Sequence, residues 1–287
     1  MTRRTMLKLG IVALIALTGG ATFQDAEART LQEILSAKKI RLGTIPYPPM
    51  THLDPRTGKY TGLWVEGPKF LFEQLGIEVE LVETKWATFP SGLQSNQFDV
   101  FIGGSFATPR RAAAVDFTRP VMFMGHSVTV RKDDAGKFKS MADLDKAGVT
   151  IATVLGTSGH EYMKQNFKHA TIKALDTGDL TQDSLEVLAG RADAALQDAF
   201  KVAQVVGRHP DKLVDLFAEK PFYLLPIAYA VSSGNRDLLQ LLNTSLDWME
   251  SSGKWQELAK PYREQLGGVF FVERSYKPFG GATAKTE

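Results

Sequence analysis

The chain has 287 residues, of which 44% are hydrophobic and 23% charged, and carries a formal net charge of +2. Those proportions are ordinary for a globular protein, and so small a charge, with no dense Lys/Arg run, argues against a nucleic-acid partner. Cysteine is absent, which excludes disulfides, thiolate chemistry, cysteine zinc sites and a lipid-modified N-terminal cysteine. Two domains of modest size are expected for this length.

Arg3, Arg4 and Lys8 precede an apolar run over residues 9–17 that is too short for a permanent membrane anchor, and Ala26-Glu27-Ala28 is a small-x-small cleavage pattern. An export signal over residues 1–28 is therefore expected, with the mature chain starting at Arg29. Residues 2–8 also resemble a twin-arginine signal, so the export route stays open.

Next come a short amphipathic helix over 31–36 and a first strand over 40–45, which Pro46, Pro48 and Pro49 stop. A turn over 54–58 leads to a helix over 65–75 ending at Gly76, a one-face-exposed strand over 77–82 and a helix over 87–95. Residues 98–102 form a buried strand that Gly103-Gly104 is expected to end, a pair that allows close approach to the backbone. Thr108-Pro109 then starts a helix, placing Arg111 in a first turn that already favours negative charge. Arg111 is either a carboxylate holder or a solvated arginine on these residues alone.

A second strand-helix series begins with a strand over 126–131 and a polar break over 132–136. It continues with a helix from 140, a strand over 149–154, a loop over 156–159 opening a helix, a strand over 171–175 and a helix over 182–188. A strand over 193–196, a helix over 198–206, a returning apolar strand over 222–231 and helices over 237–250 and 254–262 complete it. Residues 274–287, rich in Gly, Lys and Thr, are expected to be a mobile tail. Alternating strands and helices give an α/β fold with a largely parallel sheet. The chain divides into lobe 1 over 29–125, lobe 2 over 126–225 and a return to lobe 1 over 226–273. A ligand belongs in the cleft between them, at strand C-termini and helix N-termini.

Signals for catalysis are absent: there is no G-x-S-x-G elbow, Walker loop or G-x-G-x-x-G. His160-Glu161 opens like a zinc-protease motif, but Lys164 stands where the second histidine belongs, and the other histidines lack ligand spacing. No metal, cofactor or catalytic residue is expected. Binding groups do converge. Arg111 offers a planar charged fork for a carboxylate, Thr157 and Ser158 add hydroxyls and N–H groups, and Asp198 suits an ammonium. Together they describe the headgroup of an α-amino acid, although each could equally serve as a helix cap or a solvated group.

The run over residues 93–100, then Thr108-Pro109-Arg110-Arg111 and Val115-Asp116-Phe117-Thr118-Arg119-Pro120, resembles the polar amino-acid family of bacterial solute-binding proteins. Gly156-Thr157-Ser158 and Leu188-Ala189-Gly190-Arg191-Ala192-Asp193-Ala194, followed by Gln197-Asp198, are similar to its second-lobe segments. The likeness spans roughly residues 38–262. It implies a two-lobe periplasmic-binding fold of type II, with two crossing strands, that binds its ligand by hinge closure. It further implies a monomeric periplasmic receptor delivering an amino acid or related carboxylate to the permease of an ABC importer. By the same resemblance Arg111 and Ser158 hold the ligand carboxylate and Asp198 its α-ammonium. Trp86 packs on the ligand side chain, and Gly104 and Phe106 supply backbone contacts to the headgroup.

The departures from the family pattern bear on the ligand. Basic-amino-acid binders carry an Asp where this chain has Ile45, and Phe106 replaces a small hydroxyl residue. A cationic side chain would lack its partner, whereas Tyr47, Trp86 and Phe106 can form an aromatic wall. A non-basic amino acid is expected, with large apolar or aromatic ones among the candidates. Cyclohexadienyl dehydratases resemble the same family and are the alternative, but they carry an acid just after the Asp198 position, where this chain has Lys201.

Overall fold

The computed structural model describes residues 28–265 and 269–271. The expected signal before Ala28 and the expected tail lie outside the described residues. In chain order the elements begin with α1 (Leu31–Ala37), β1 (Lys39–Thr44), β2 (His52–Asp54), β3 (Lys59–Thr61), α2 (Leu63–Gln74), β4 (Glu78–Glu83) and α3 (Phe89–Gln94). Then follow β5 (Val100–Phe106), α4 (Pro109–Ala112), β6 (Val115–Phe117), β7 (Met122–Arg131), α5 (Met141–Leu144), β8 (Thr150–Val154), α6 (Ser158–Asn166) and β9 (Thr171–Leu175). The series ends with α7 (Gln182–Leu188), β10 (Ala194–Asp198), α8 (Ala199–Arg208), β11 (Leu213–Asp215), β12 (Phe222–Ser232), α9 (Arg236–Ser251), α10 (Lys254–Ala259) and β13 (Val269–Phe271).

Local chemistry accounts for several of these boundaries. Thr30 and Glu33 close a reciprocal capping box at α1, satisfying two N–H groups that the helix itself cannot pair. Thr157 and Asp198 cap α6 and α8 through their side chains. Along α9, Leu238, Leu242, Leu246 and Met249 are buried at helical spacing, so one stripe faces the core.

One sheet runs through both lobes in the order β4-β1-β5-β12-β7-β10-β8-β9, while β2 and β3 form a separate hairpin. The pairs β1–β4, β1–β5, β10–β8 and β8–β9 are parallel, as helical crossovers require. At the centre the long strands β7 and β12 pair antiparallel; we place the lobe division within them. The larger hydrophobic cluster, with Trp64, Phe72, Phe89, Phe98 and Phe101, fills the first lobe and extends to Val154, Leu180 and Phe200 of the second. Smaller clusters around Val128, Ile151 and Leu196, and around Val187 and Val205, fill the second. This is the two-lobe α/β fold of periplasmic binding proteins.

Two expectations near Arg111 change. The glycine pair does not end its strand, because β5 continues through Gly103 and Gly104 to Phe106. Gly104 adopts φ +69, and a Cβ there would lie 2.2 Å from the Trp64 indole; the close approach serves Trp64 of the same lobe. The helix after Thr108 is one turn of four residues, too short to build a macrodipole. What Arg111 offers an anion is therefore its own charge.

Candidate functional site

The loop after β5 turns Arg111 back under the strand it has just left. Thr108 caps the turn by accepting from the Arg111 N–H at 3.3 Å. The guanidinium is 4% exposed. Its Nη1 donates to Ser105 Oγ at 2.9 Å and to the Phe106 carbonyl at 3.1 Å, and its Nη2 reaches the Gly156 carbonyl of the other lobe at 2.7 Å. Glu161, on the first turn of α6, lies 3.4 Å from its Nε and accepts from Thr108 Oγ1 at 3.2 Å. Burial pulls the Arg111 pKa down and the Glu161 carboxylate opposes that pull, so the buried cation is not left unpaired.

The second lobe answers with the starts of α6 and α8. Gly156, at φ +78, brings its loop so near the first lobe that a Cβ would sit 2.5 Å from Ala87 Cα. Thr157 donates to the Val154 carbonyl at 2.8 Å while capping His160. Ser158 Oγ lies 2.7 Å from His126 Nε2, and His126 Nδ1 lies 3.1 Å from the Tyr223 carbonyl. A carbonyl can only accept, which assigns the proton to Nδ1 and makes Ser158 the donor to Nε2. Burial lowers the His126 pKa to about 4, which agrees with a neutral ring. Asp198 Oδ1 accepts from Tyr47 OH and from the Lys201 N–H, both at 2.8 Å. Its pKa is raised by burial, against the pull of the Lys201 N–H and ammonium.

These groups enclose one cavity. Tyr47, Trp86, Gly104, Phe106, Arg111, Thr157, Ser158 and Asp198, each singled out in the sequence, all line it. Trp64, Met124, Leu180, Gln197 and Ile227 complete the lining. Tyr47 packs on Trp64 at 4.8 Å between ring centroids, and Phe106 on His126 at 4.7 Å. The indole N–H groups of Trp64 and Trp86 are buried with no hydrogen-bond partner among the described residues, which leaves donors at the wall for an acceptor. The space left between these side chains is about 10 Å3, room for roughly one water. The walls nearly touch, so a ligand of amino-acid size requires them to part.

Ile45 is buried in the first-lobe core and does not line the cavity; the charge of the wall is set by other residues. Glu161 was visible in the sequence only as part of a failed zinc motif, and its contact with Arg111 depends on how the lobes meet. A larger crevice, about 740 Å3, opens elsewhere beside Leu31, Gln94 and Arg236. Its lining is small and polar with no aromatic wall, so the cavity around Arg111 is the better ligand site. No group of three or more potential metal ligands occurs among the described residues.

A two-lobe α/β scaffold with a charged, aromatic cavity sealed between its lobes defines a ligand-binding protein that works by enclosing a small molecule. Comparison with known proteins makes the class specific. Residues 40–265 match the model of the bacterial extracellular solute-binding proteins, family 3, and the chain belongs to that family. It is similar to the L-cystine-binding protein TcyJ of Escherichia coli (strain K12), at 28% identity over 88% of this chain and 93% of that protein. It is also similar to the cyclohexadienyl dehydratase of Pseudomonas aeruginosa, at 27% identity over 75% of this chain and 81% of that enzyme. Among solved structures, the ancestral amino acid-binding protein AncCDT-1, described as a precursor of cyclohexadienyl dehydratase, superimposes with a TM-score of 0.70 at 31% identity, covering 80% of this chain and 97% of that one. The protein is a periplasmic solute-binding component of ABC transport and not an enzyme.

Proposed function

We propose that the protein captures a non-basic α-amino acid in the cavity around Arg111 and presents it, lobes closed, to an ABC permease. Arg111 and Ser158 receive the carboxylate, Asp198 the α-ammonium, and the indole and phenyl faces of Trp64, Trp86, Tyr47 and Phe106 the side chain. Thr157 holds the Ser158 loop in place, and Gly104 gives Trp64 its seat. One observation carries the reading: the cavity lining contains one cation, Arg111, and one acid, Asp198, and every other side chain in it is uncharged. With Asp198 committed to the ammonium, a second positive charge on the ligand would be desolvated without a partner.

Binding would trade the contacts now made across the cleft for contacts to the ligand, shifting an open-closed equilibrium toward closed. A thermal-shift screen of the twenty amino acids tests this, because a ligand that binds only the folded state raises Tm. Neutral amino acids, large apolar or aromatic ones included, are expected to raise Tm, and lysine and arginine to leave it unchanged. A response confined to the basic amino acids would overturn the reading.

A further inference from the structure

Past the headgroup cavity the cleft widens again. Leu180 lines both that cavity and a second chamber of about 490 Å3, so the two spaces share one wall. Lobe 1 contributes Pro48, Glu83 and Lys85 to the chamber, and lobe 2 contributes Asp179, Lys201 and Arg208; Lys85 lies 3.5 Å from Asp176. The two acids already have partners. Glu83 accepts from Tyr60 OH, and Asp179 accepts from the N–H and hydroxyl of Thr181 and from Gln182.

Lys201 is placed differently. It is 4% exposed, a rare state for lysine. Its Nζ lies 4.0 Å from the Tyr47 ring centroid, the same Tyr47 whose hydroxyl meets Asp198. The ammonium donates to the Pro48 carbonyl at 2.8 Å and to Gln204 Oε1 at 3.0 Å, which leaves one of its three N–H donors unused. About two helical turns further on, Arg208 stands exposed in the last turn of α8.

We propose that the chamber beyond Leu180 receives the far end of an extended amino-acid ligand, and that this end carries a carboxylate held by Lys201 and Arg208. The assignment rests on the amino-acid reading of the Arg111 cavity and names the ligand class more closely: an amino acid with a second, distal acid group.

Calorimetry on the full-length mature protein with two ligands of equal length tests it: L-2-aminosuberate, which ends in a carboxylate, and L-2-aminooctanoate, which ends in a methyl group. The diacid is expected to bind about tenfold more tightly, the scale of one hydrogen bond to a charged group. That ratio should fall to near one in Lys201→Met and by a smaller factor in Arg208→Gln. Arg208 is exposed, so its variant keeps the test available if the lysine variant does not fold. Equal or tighter binding of 2-aminooctanoate, or a ratio unchanged in the folded variants, would overturn the assignment while leaving the headgroup reading standing. If neither compound binds and no amino acid shifts Tm, the headgroup reading fails with it.

Discussion

The two walls of the cleft are built from different chemistry. The first-lobe wall is aromatic, with Tyr47, Trp64, Trp86 and Phe106 around a single guanidinium. The second-lobe wall is short and polar, with Thr157, Ser158, Gln197 and Asp198 at the ends of β8 and β10. Burial of apolar area is graded and non-directional, whereas hydrogen bonds weaken steeply once geometry is lost. The first wall can therefore hold a ligand's carbon body before the lobes meet. On the proposed reading the second acts only when they have closed, and so is the wall that would make closure depend on the headgroup.

Replacing the charge in the first wall should have the largest effect. Arg111→Ala leaves a ligand carboxylate buried without a cation, and the loss is expected to be about 3–5 kcal/mol, at least a hundredfold in Kd by calorimetry. Glu161 and the Gly156 carbonyl would lose the same partner, so the unliganded protein should also spend more time open, visible as a larger radius in small-angle scattering. Affinity kept within tenfold would remove Arg111 from the site.

The next largest effect sits between the walls, at His126, which touches Ser158 on one side and Phe106 on the other. Burial, and to a lesser degree the Arg111 charge, hold its pKa at about 4, against the pull of the Tyr223 carbonyl. An unfolded histidine takes up its proton near pH 6.5. Between those values the unfolded chain binds more protons than the folded one, so stability falls as pH drops from 6.5 and the loss is complete near pH 4, at about 3 kcal/mol. Buried Asp183, raised to about 8, works in the opposite sense, since the folded state then holds the extra proton and gains stability on acidification. The net slope of the wild type mixes both groups. Subtracting denaturation curves of His126→Gln from those of the wild type at pH 7, 6, 5 and 4 isolates the histidine, and parallel curves would refute its buried neutral state.

Much of the fold that frames these walls was legible in the sequence. The strand over 171–175 and the helix over 182–188 coincide residue for residue with β9 and α7, because apolar spacing and flanking breakers agree there. The three-residue strands β2, β3, β6, β11 and β13 are too short to show a period. Gly103 and Gly104 look like a strand end in one dimension, and only the neighbouring rings of Phe101 and Trp64 explain why a side chain is missing there. The site divides in the same way. Groups with a local signature, such as the Thr-Pro turn before Arg111 and the caps Thr157 and Asp198, could be picked out. Trp64 at a helix start and Ile227 in the middle of a returning strand reach the cavity, and Glu161 within a broken motif reaches Arg111, only through tertiary placement.

A smaller change in the second wall separates charge from capping. Asp198→Asn keeps an excellent helix cap for α8 but removes the negative charge. Affinity for an amino acid should fall by about 2 kcal/mol, roughly thirtyfold, while affinity for the matching carboxylic acid without an ammonium changes little. Thermal stability should hold or rise slightly, because the carboxylate is already disfavoured by burial. Equal losses for both ligands would mean that Asp198 serves the fold and not the headgroup.

The smallest effect is expected where the walls meet at the rim. Lys85 and Asp176 face each other across the mouth of the cleft at 3.5 Å, with side chains 56% and 70% exposed. An ion pair so open to water contributes little, since solvent and salt screen it and ordering two long side chains offsets the attraction. Lys85→Met should shift the affinity for an amino acid with an uncharged side chain by less than about 0.5 kcal/mol, and the shift should vanish in 0.5 M salt. Closure then depends on the interior of the cleft, where Tyr47 meets Asp198 and Arg111 meets Gly156 away from water. A fivefold or larger change in Kd that survived salt would reverse that ranking and make the rim, not the two buried walls, the element that holds the lobes together.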